Sequence, residues 1–206
     1  RISYKLNITL VFISTDHLFD GNTPLVSENQ FKTPLNIYGI SKSLGEDLVI
    51  KSNPNALVIR TNFFGWGTEY RTSFSDFIIN GLREEKNLTL FEDVFFTPIL
   101  IETLVKITME LVNNKINGII NIVSKERITK YEFGILLAKV FGLDTKFIIT
   151  GSIINNKKLV NRPKDMSLSN QKLIDLLEIP IPTLEEQMVL LKEQEKIGVA
   201  FELKTL

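Results

Sequence analysis

Short, continuously apolar runs alternate along the chain with stretches in which apolar residues recur every three or four positions. Residues 8–13, Ile-Thr-Leu-Val-Phe-Ile, end at the polar Ser14-Thr15-Asp16. Such a run predicts a strand buried on both faces of a parallel sheet. Residues 20–36 carry Gly21, Pro24, Pro34 and several Asn and Thr, a composition that predicts a loop. From Tyr38 to about residue 51, Leu44, Leu48 and Val49 fall at helical spacing, and Asn53-Pro54-Asn55 ends the helix. A second buried strand is expected over 56–60.

Beyond Gly65-Trp66-Gly67, Ser73 can cap a helix to about residue 84 with Phe74, Phe77, Ile78 and Leu82 on its apolar side. A short strand is expected at 88–91, a helix from Pro98 to about 112 and a strand over 118–123. Thr129 with Glu132, and Thr183 with Glu186, have the spacing of capping boxes and open two further helices, the first to about 141. Strands alternating with helices of this length predict an α/β fold with a Rossmann-like, mainly parallel sheet and a smaller C-terminal lobe. The expected division is 1–65 and about 92–123 for the sheet part, with about 66–91 and 124–206 for the lobe.

Composition narrows the possible chemistry. Of 206 residues, 44% are hydrophobic and 23% charged, enough apolar material for a sizeable core. Lys and Arg number 24, as do Asp and Glu, giving zero formal net charge. No global field therefore draws the chain to nucleic acid or an acidic membrane, and an anionic ligand must be bound locally. No apolar run approaches the roughly 18 residues of a spanning helix, so no membrane partner is expected. The absence of cysteine fits a reducing cytosol and removes thiolate zinc sites, and one histidine makes a His-based metal site implausible.

The chemical signal is Tyr38-Gly-Ile-Ser-Lys42. Positions i and i+4 of a helix share a face, so the phenol and the ammonium can enter one site. A free phenol titrates near 10; a cation within about 4–6 Å favours its ionised form and brings it closer to neutral pH, where acid–base catalysis works best. A hydroxyl from Ser14 or Thr15 at the neighbouring strand tip could hydrogen-bond a substrate carbonyl oxygen beside it. Alone, the pair reads more readily as an interfacial tyrosine and a solvated lysine; the strand, loop, helix and strand around it give it weight.

Ser14-Thr-Asp-His-Leu-Phe-Asp-Gly21, Pro34-Leu-Asn-Ile-Tyr-Gly-Ile-Ser-Lys42 with Gly45-Glu46, Arg60-Thr61-Asn62 and Arg162-Pro163-Lys-Asp-Met-Ser167-Leu168 together resemble the extended short-chain dehydrogenases/reductases, most closely the dTDP-4-dehydrorhamnose reductase group. The resemblance spans most of the chain. It implies NAD(P)H-dependent reduction of a 4-keto nucleotide sugar, with NADP or NAD as cofactor and Thr15, Tyr38 and Lys42 as catalytic set. It further implies cofactor contacts from Ser14, Tyr38, Lys42, Arg60, Thr61 and Asn62, and substrate contacts from Asp16, His17, Phe63 and Arg162. The guanidinium of Arg162 would meet paired phosphate oxygens in the basic 155–169 loop. A cytoplasmic location and a homodimer are compatible with it.

Two departures stand out. The Gly-rich strand–turn–helix that holds the pyrophosphate in that family is missing, so about 80–90 residues of the usual domain plan are expected upstream of Arg1, and this polypeptide alone should bind cofactor poorly. His17 and Phe63 stand where the rhamnose-forming reductases commonly carry Tyr and Trp, which changes the hydrogen-bonding handles on the sugar. Other readings are an NAD-dependent sugar-nucleotide epimerase or dehydratase, for which Asp16 beside Thr15 speaks, and a non-catalytic regulatory subunit of the same fold.

Overall fold

The computed structural model describes residues 2–155, 163–177 and 180–205, without the side chain of Asn155. After a single helical turn, α1 (Ile2–Lys5), the order is β1 (Val11–Ile13), α2 (Ile37–Ser52), β2 (Leu57–Arg60), β3 (Phe63–Phe64), α3 (Phe74–Arg83) and β4 (Leu88–Phe91). Then come β5 (Phe95–Phe96), β6 (Ile99–Leu100), α4 (Ile101–Asn113), β7 (Gly118–Asn121), β8 (Ile128–Thr129), α5 (Lys130–Phe141), β9 (Ile148–Gly151), α6 (Gln171–Leu176), α7 (Leu184–Lys196) and α8 (Val199–Leu203).

The strands β1, β2 and β7 form a parallel sheet in that order, with Val11 opposite Leu57 and Leu57 opposite Gly118. Side chains of β2 alternate between its faces, as strand geometry requires. Leu57 and Ile59 join Leu104, Ile107 and Leu111 of α4 and Leu173 of α6 in one apolar cluster, whereas Arg60 reaches the other face and meets Glu46 of α2. One layer of helix therefore covers each side of β2. The expectation that residues 8–13 form a doubly buried strand fails in part. Ladder pairing begins only at Val11, and Ile13 remains 40% exposed; among the described residues β1 pairs with β2 alone.

A second cluster gathers α3, α5 and α7 around β4, which pairs in parallel with β9, and around the antiparallel pair β5–β8. Phe133 lies at its centre, within 5.3–5.5 Å of the rings of Phe64, Phe74 and Phe96. The Trp66 indole donates to Leu191 O at 3.1 Å, fastening the β3–α3 connection to α7. Ser73, Thr129 and Thr183 each close a capping box with Asp76, Glu132 and Glu186. Phe77, expected on the buried side of α3, is 47% exposed, and Ile79 takes an inward place instead.

The 20–36 loop is held by distant partners. Val26 N donates to Ser167 O and Ser169 N to Val26 O. Leu25 N donates to Ser167 Oγ, and the Asn121 amide donates to both Val26 O and Ser169 O. Gly21 adopts φ +81° against Pro163 and the backbone of Lys164 and Asp165, where a Cβ would come within 2.8–3.0 Å of all three.

Candidate active site

The sheet delivers two strand tips side by side. β1 runs into Ser14-Thr15-Asp16, all buried, and β2 into Thr61 and Asn62. The tips are tied together, since the Asn62 amide donates to Asp16 Oδ2 while the Thr15 hydroxyl donates to Asp16 Oδ1 at 3.1 Å. Thr15 Oγ1 also accepts from His17 N at 3.2 Å. The Thr15 proton is thus engaged, whereas Ser14 Oγ, Thr61 Oγ1 and His17 Nδ1 are buried with no hydrogen-bond partner among the described residues.

Asn36 starts α2 by accepting from Gly39 N at 2.9 Å. Gly39 then lets the helix approach the first strand tip, because a Cβ there would stand 2.3 Å from His17 O. This approach brings the rings of Tyr38 and His17 edge to face at 5.7 Å. One turn later Lys42 donates from Nζ to Ile13 O at 2.9 Å and lies 5.2 Å from the Phe12 ring centroid. Ser14, Thr15, Asp16, His17, Tyr38, Lys42, Thr61, Asn62 and Phe63 all line one cleft of about 630 Å³. A phenol, an ammonium and unpartnered hydroxyls around such a space can protonate, orient and hydrogen-bond a polar ligand.

Arg60 turns its side chain elsewhere. Its guanidinium does not line the cleft; it is 2% exposed and grips Glu46 with two hydrogen bonds of 3.0 and 2.8 Å, adding a third to Glu28 O. Burial of a charge requires such pairing, so this guanidinium is held away from the cleft, which leaves to Arg60 only its backbone for the expected cofactor contact. Arg162, expected over a diphosphate, lies outside the described residues.

The cleft also takes in the β3–α3 connection, including Trp66, Arg71 and Phe74. Gly65-Trp66-Gly67 signals a break in that region, but nothing in the sequence pattern singles out Arg71. A separate cavity of about 550 Å³, lined by Thr103, Lys125, Ile181 and Gln187 among others, contains none of the expected residues.

Unpartnered buried hydroxyls at the strand tips fit the ribose and carboxamide of a nicotinamide, groups that both donate and accept. Among the described residues no Gly-rich strand–turn–helix is available for a pyrophosphate.

Comparison with known proteins follows the same lines. The chain is 28% identical over 190 residues to the "probable low-salt glycan biosynthesis reductase Agl14" of Haloferax volcanii, covering 90% of this chain and 63% of that one. It is 29% identical over 147 residues to methionine adenosyltransferase 2 subunit beta of Danio rerio, covering 68% and 46%. The chain thus spans less than two thirds of these relatives. Among solved structures, the dTDP-4-dehydrorhamnose reductase of Bacillus anthracis in complex with NADP superposes with a TM-score of 0.85 over 93% of this chain and 68% of that one. At 22% identity this similarity speaks for the fold, a Rossmann-like α/β architecture. The family described as the RmlD substrate binding domain matches residues 1–196, and the chain belongs to that family.

Proposed function

We propose that the complete protein reduces the 4-keto group of a nucleotide-linked sugar, using NADPH or NADH. The observation that carries the reading is the convergence of Tyr38, Lys42 and the Ser14–Thr15 hydroxyls on one cleft. The family and the names of its reductase relatives support it.

When bound, the reduced nicotinamide supplies hydride to the carbonyl carbon. Tyr38 donates its proton to the carbonyl oxygen, and the Lys42 charge stabilises what remains on the phenol oxygen. Ser14 Oγ is unpartnered and available to hydrogen-bond the same oxygen or the ribose. For Thr15 to donate there, its hydroxyl must turn from Asp16, which both tips hold in place. His17 Nδ1 and Phe63 face the sugar. The same reading makes residues 1–65 and about 92–123 the cofactor-facing part and about 66–91 and 124–206 the substrate lobe. The two apolar clusters follow that division in part: Phe64, Val94, Phe96 and Leu100 pack with the lobe cluster, and Leu173, Leu177 and Ile181 with the sheet cluster. Among the described residues no helix is long and apolar enough to cross a membrane. A cytoplasmic location and a homodimer belong to the same reading of the complete enzyme.

Tyr38→Phe in the complete protein should abolish NAD(P)H consumption with 4-keto sugar nucleotides while cofactor affinity changes little. Turnover retained in that variant rules the assignment out. A second reading, a non-catalytic subunit, is favoured by the similarity to methionine adenosyltransferase 2 subunit beta. Wild-type turnover would dismiss it.

A further inference from the structure

Among the described residues there are four arginines, and three of them hold a carboxylate. Arg60 pairs with Glu46, Arg83 with Glu195 and Arg127 with Asp165. Arg71 is exposed, lines the cleft, and has neither an ion pair nor a side-chain hydrogen bond among the described residues.

Its position is nonetheless built. Thr68 and Arg71 exchange backbone hydrogen bonds of 3.2 Å, closing a hairpin with Glu69 and Tyr70 at the tip. Asp76 Oδ2 gathers the base of that hairpin, accepting from Gly67 N at 2.7 Å, Ser73 N at 3.0 Å and Ser73 Oγ at 2.9 Å. Gly67 is needed there, because a Cβ would stand 2.3 Å from Arg71 O. Trp66 and Phe74 on either side belong to the cluster of α3, α5 and α7 and not to the sheet. Arg71 thus joins the cleft from the β3–α3 connection, an element separate from the strand tips and α2.

Charge gives that placement its meaning. The formal net charge is zero, so a polyanion has no long-range field to hold it and needs a local cation. Lys42 is committed to Ile13 O beside Tyr38, and the Asp16 carboxylate is occupied by Thr15 and Asn62. We propose that Arg71 receives the diphosphate of the substrate, gripping two phosphate oxygens with its planar fork while the keto end reaches Tyr38. This rests on the nucleotide-sugar reading above and adds a contact from the β3–α3 connection to the one the resemblance implies for Arg162.

The test uses the complete protein, wild type and Arg71→Gln, with Arg71→Lys as the charge-preserving control. Because the side chain is exposed and unpaired, Arg71→Gln should melt like wild type. The expected result is a loss of about 10- to 100-fold in affinity for thymidine diphosphate measured by calorimetry, the worth of a charge-assisted hydrogen bond. KM for the 4-keto sugar nucleotide should rise by the same factor, NADPH affinity should hold, and Lys should restore only part of the loss. Wild type that binds no thymidine diphosphate, unchanged affinity in Arg71→Gln, or a loss confined to NADPH overturns the assignment. If wild type reduces no sugar nucleotide but its diphosphate binding still depends on Arg71, the reductase reading falls and the anion site stands.

Discussion

Replacing Glu46 by leucine strands the Arg60 guanidinium inside the protein. Glu46 is fully buried, Arg60 is 2% exposed, and two hydrogen bonds join them, with the Phe19 ring 5.5 Å from the guanidinium. The substitution would leave a buried cation with only the Glu28 carbonyl, and breaking such a pair from one side costs about 3–5 kcal/mol. Lys32 cannot compensate, since it stands 3.5 Å from the carboxylate that has been removed and is itself a cation. In urea, with a slope of about 2 kcal/mol per molar, the unfolding midpoint should fall by roughly 1.5–2.5 M. The double variant Glu46→Leu with Arg60→Met should recover most of the loss, because apolar groups of similar volume can replace a buried ion pair. A single-variant loss under about 1 kcal/mol, or no recovery in the double variant, refutes the reasoning. Glu46 lies one helical turn beyond Lys42, so the same pair sets how α2 sits on the sheet.

Two further outcomes are expected. Gly39→Ala should gain about 1 kcal/mol from helix propensity alone, but the Cβ would stand 2.3 Å from His17 O. A net loss of about 1–3 kcal/mol in thermal unfolding, together with reduced turnover, is therefore expected; a stabilised, active variant would disprove the close approach. Glu195→Gln probes the α3–α7 clasp, where hydrogen bonds from Arg83 hold the Glu195 carboxyl below its ordinary range against the opposing effect of burial. Both partners are partly solvated, at 42% and 30% exposure, so the contribution is under about 1 kcal/mol. With its folded value depressed, that contribution is complete above about 4.3, the unfolded value, and disappears as pH falls through the folded one. A wild-type advantage over Glu195→Gln that persists undiminished at low pH would contradict this.

What the sequence made legible depended on the reach of each signal. Ser73, Thr129 and Thr183 announce their helices because a capping box is complete within four residues. The i, i+4 spacing of Tyr38 and Lys42 put both on one cleft for the same reason. The two-residue strands β3, β5, β6 and β8 are too short to carry a period. Arg60 gave no sign of its buried ion pair. Alternation along β2 sends it to the face opposite Ile59, and its partner is 14 residues away in sequence. Arg71 gave no signal at all, since a hairpin and an aspartate cap five residues downstream position it.

The strap at 20–36 bears on how the chain acquires its shape. Leu25 and Ser167 are 142 positions apart, yet their hydrogen bond and the Val26–Leu168 bridge tie the strap to the 165–169 segment. Contacts so remote in sequence incur loop-closure entropy before they reward it and tend to form late. The strap is therefore expected to close late, and protection of the Val26 and Leu25 amides from exchange should lag behind that of β2 during refolding.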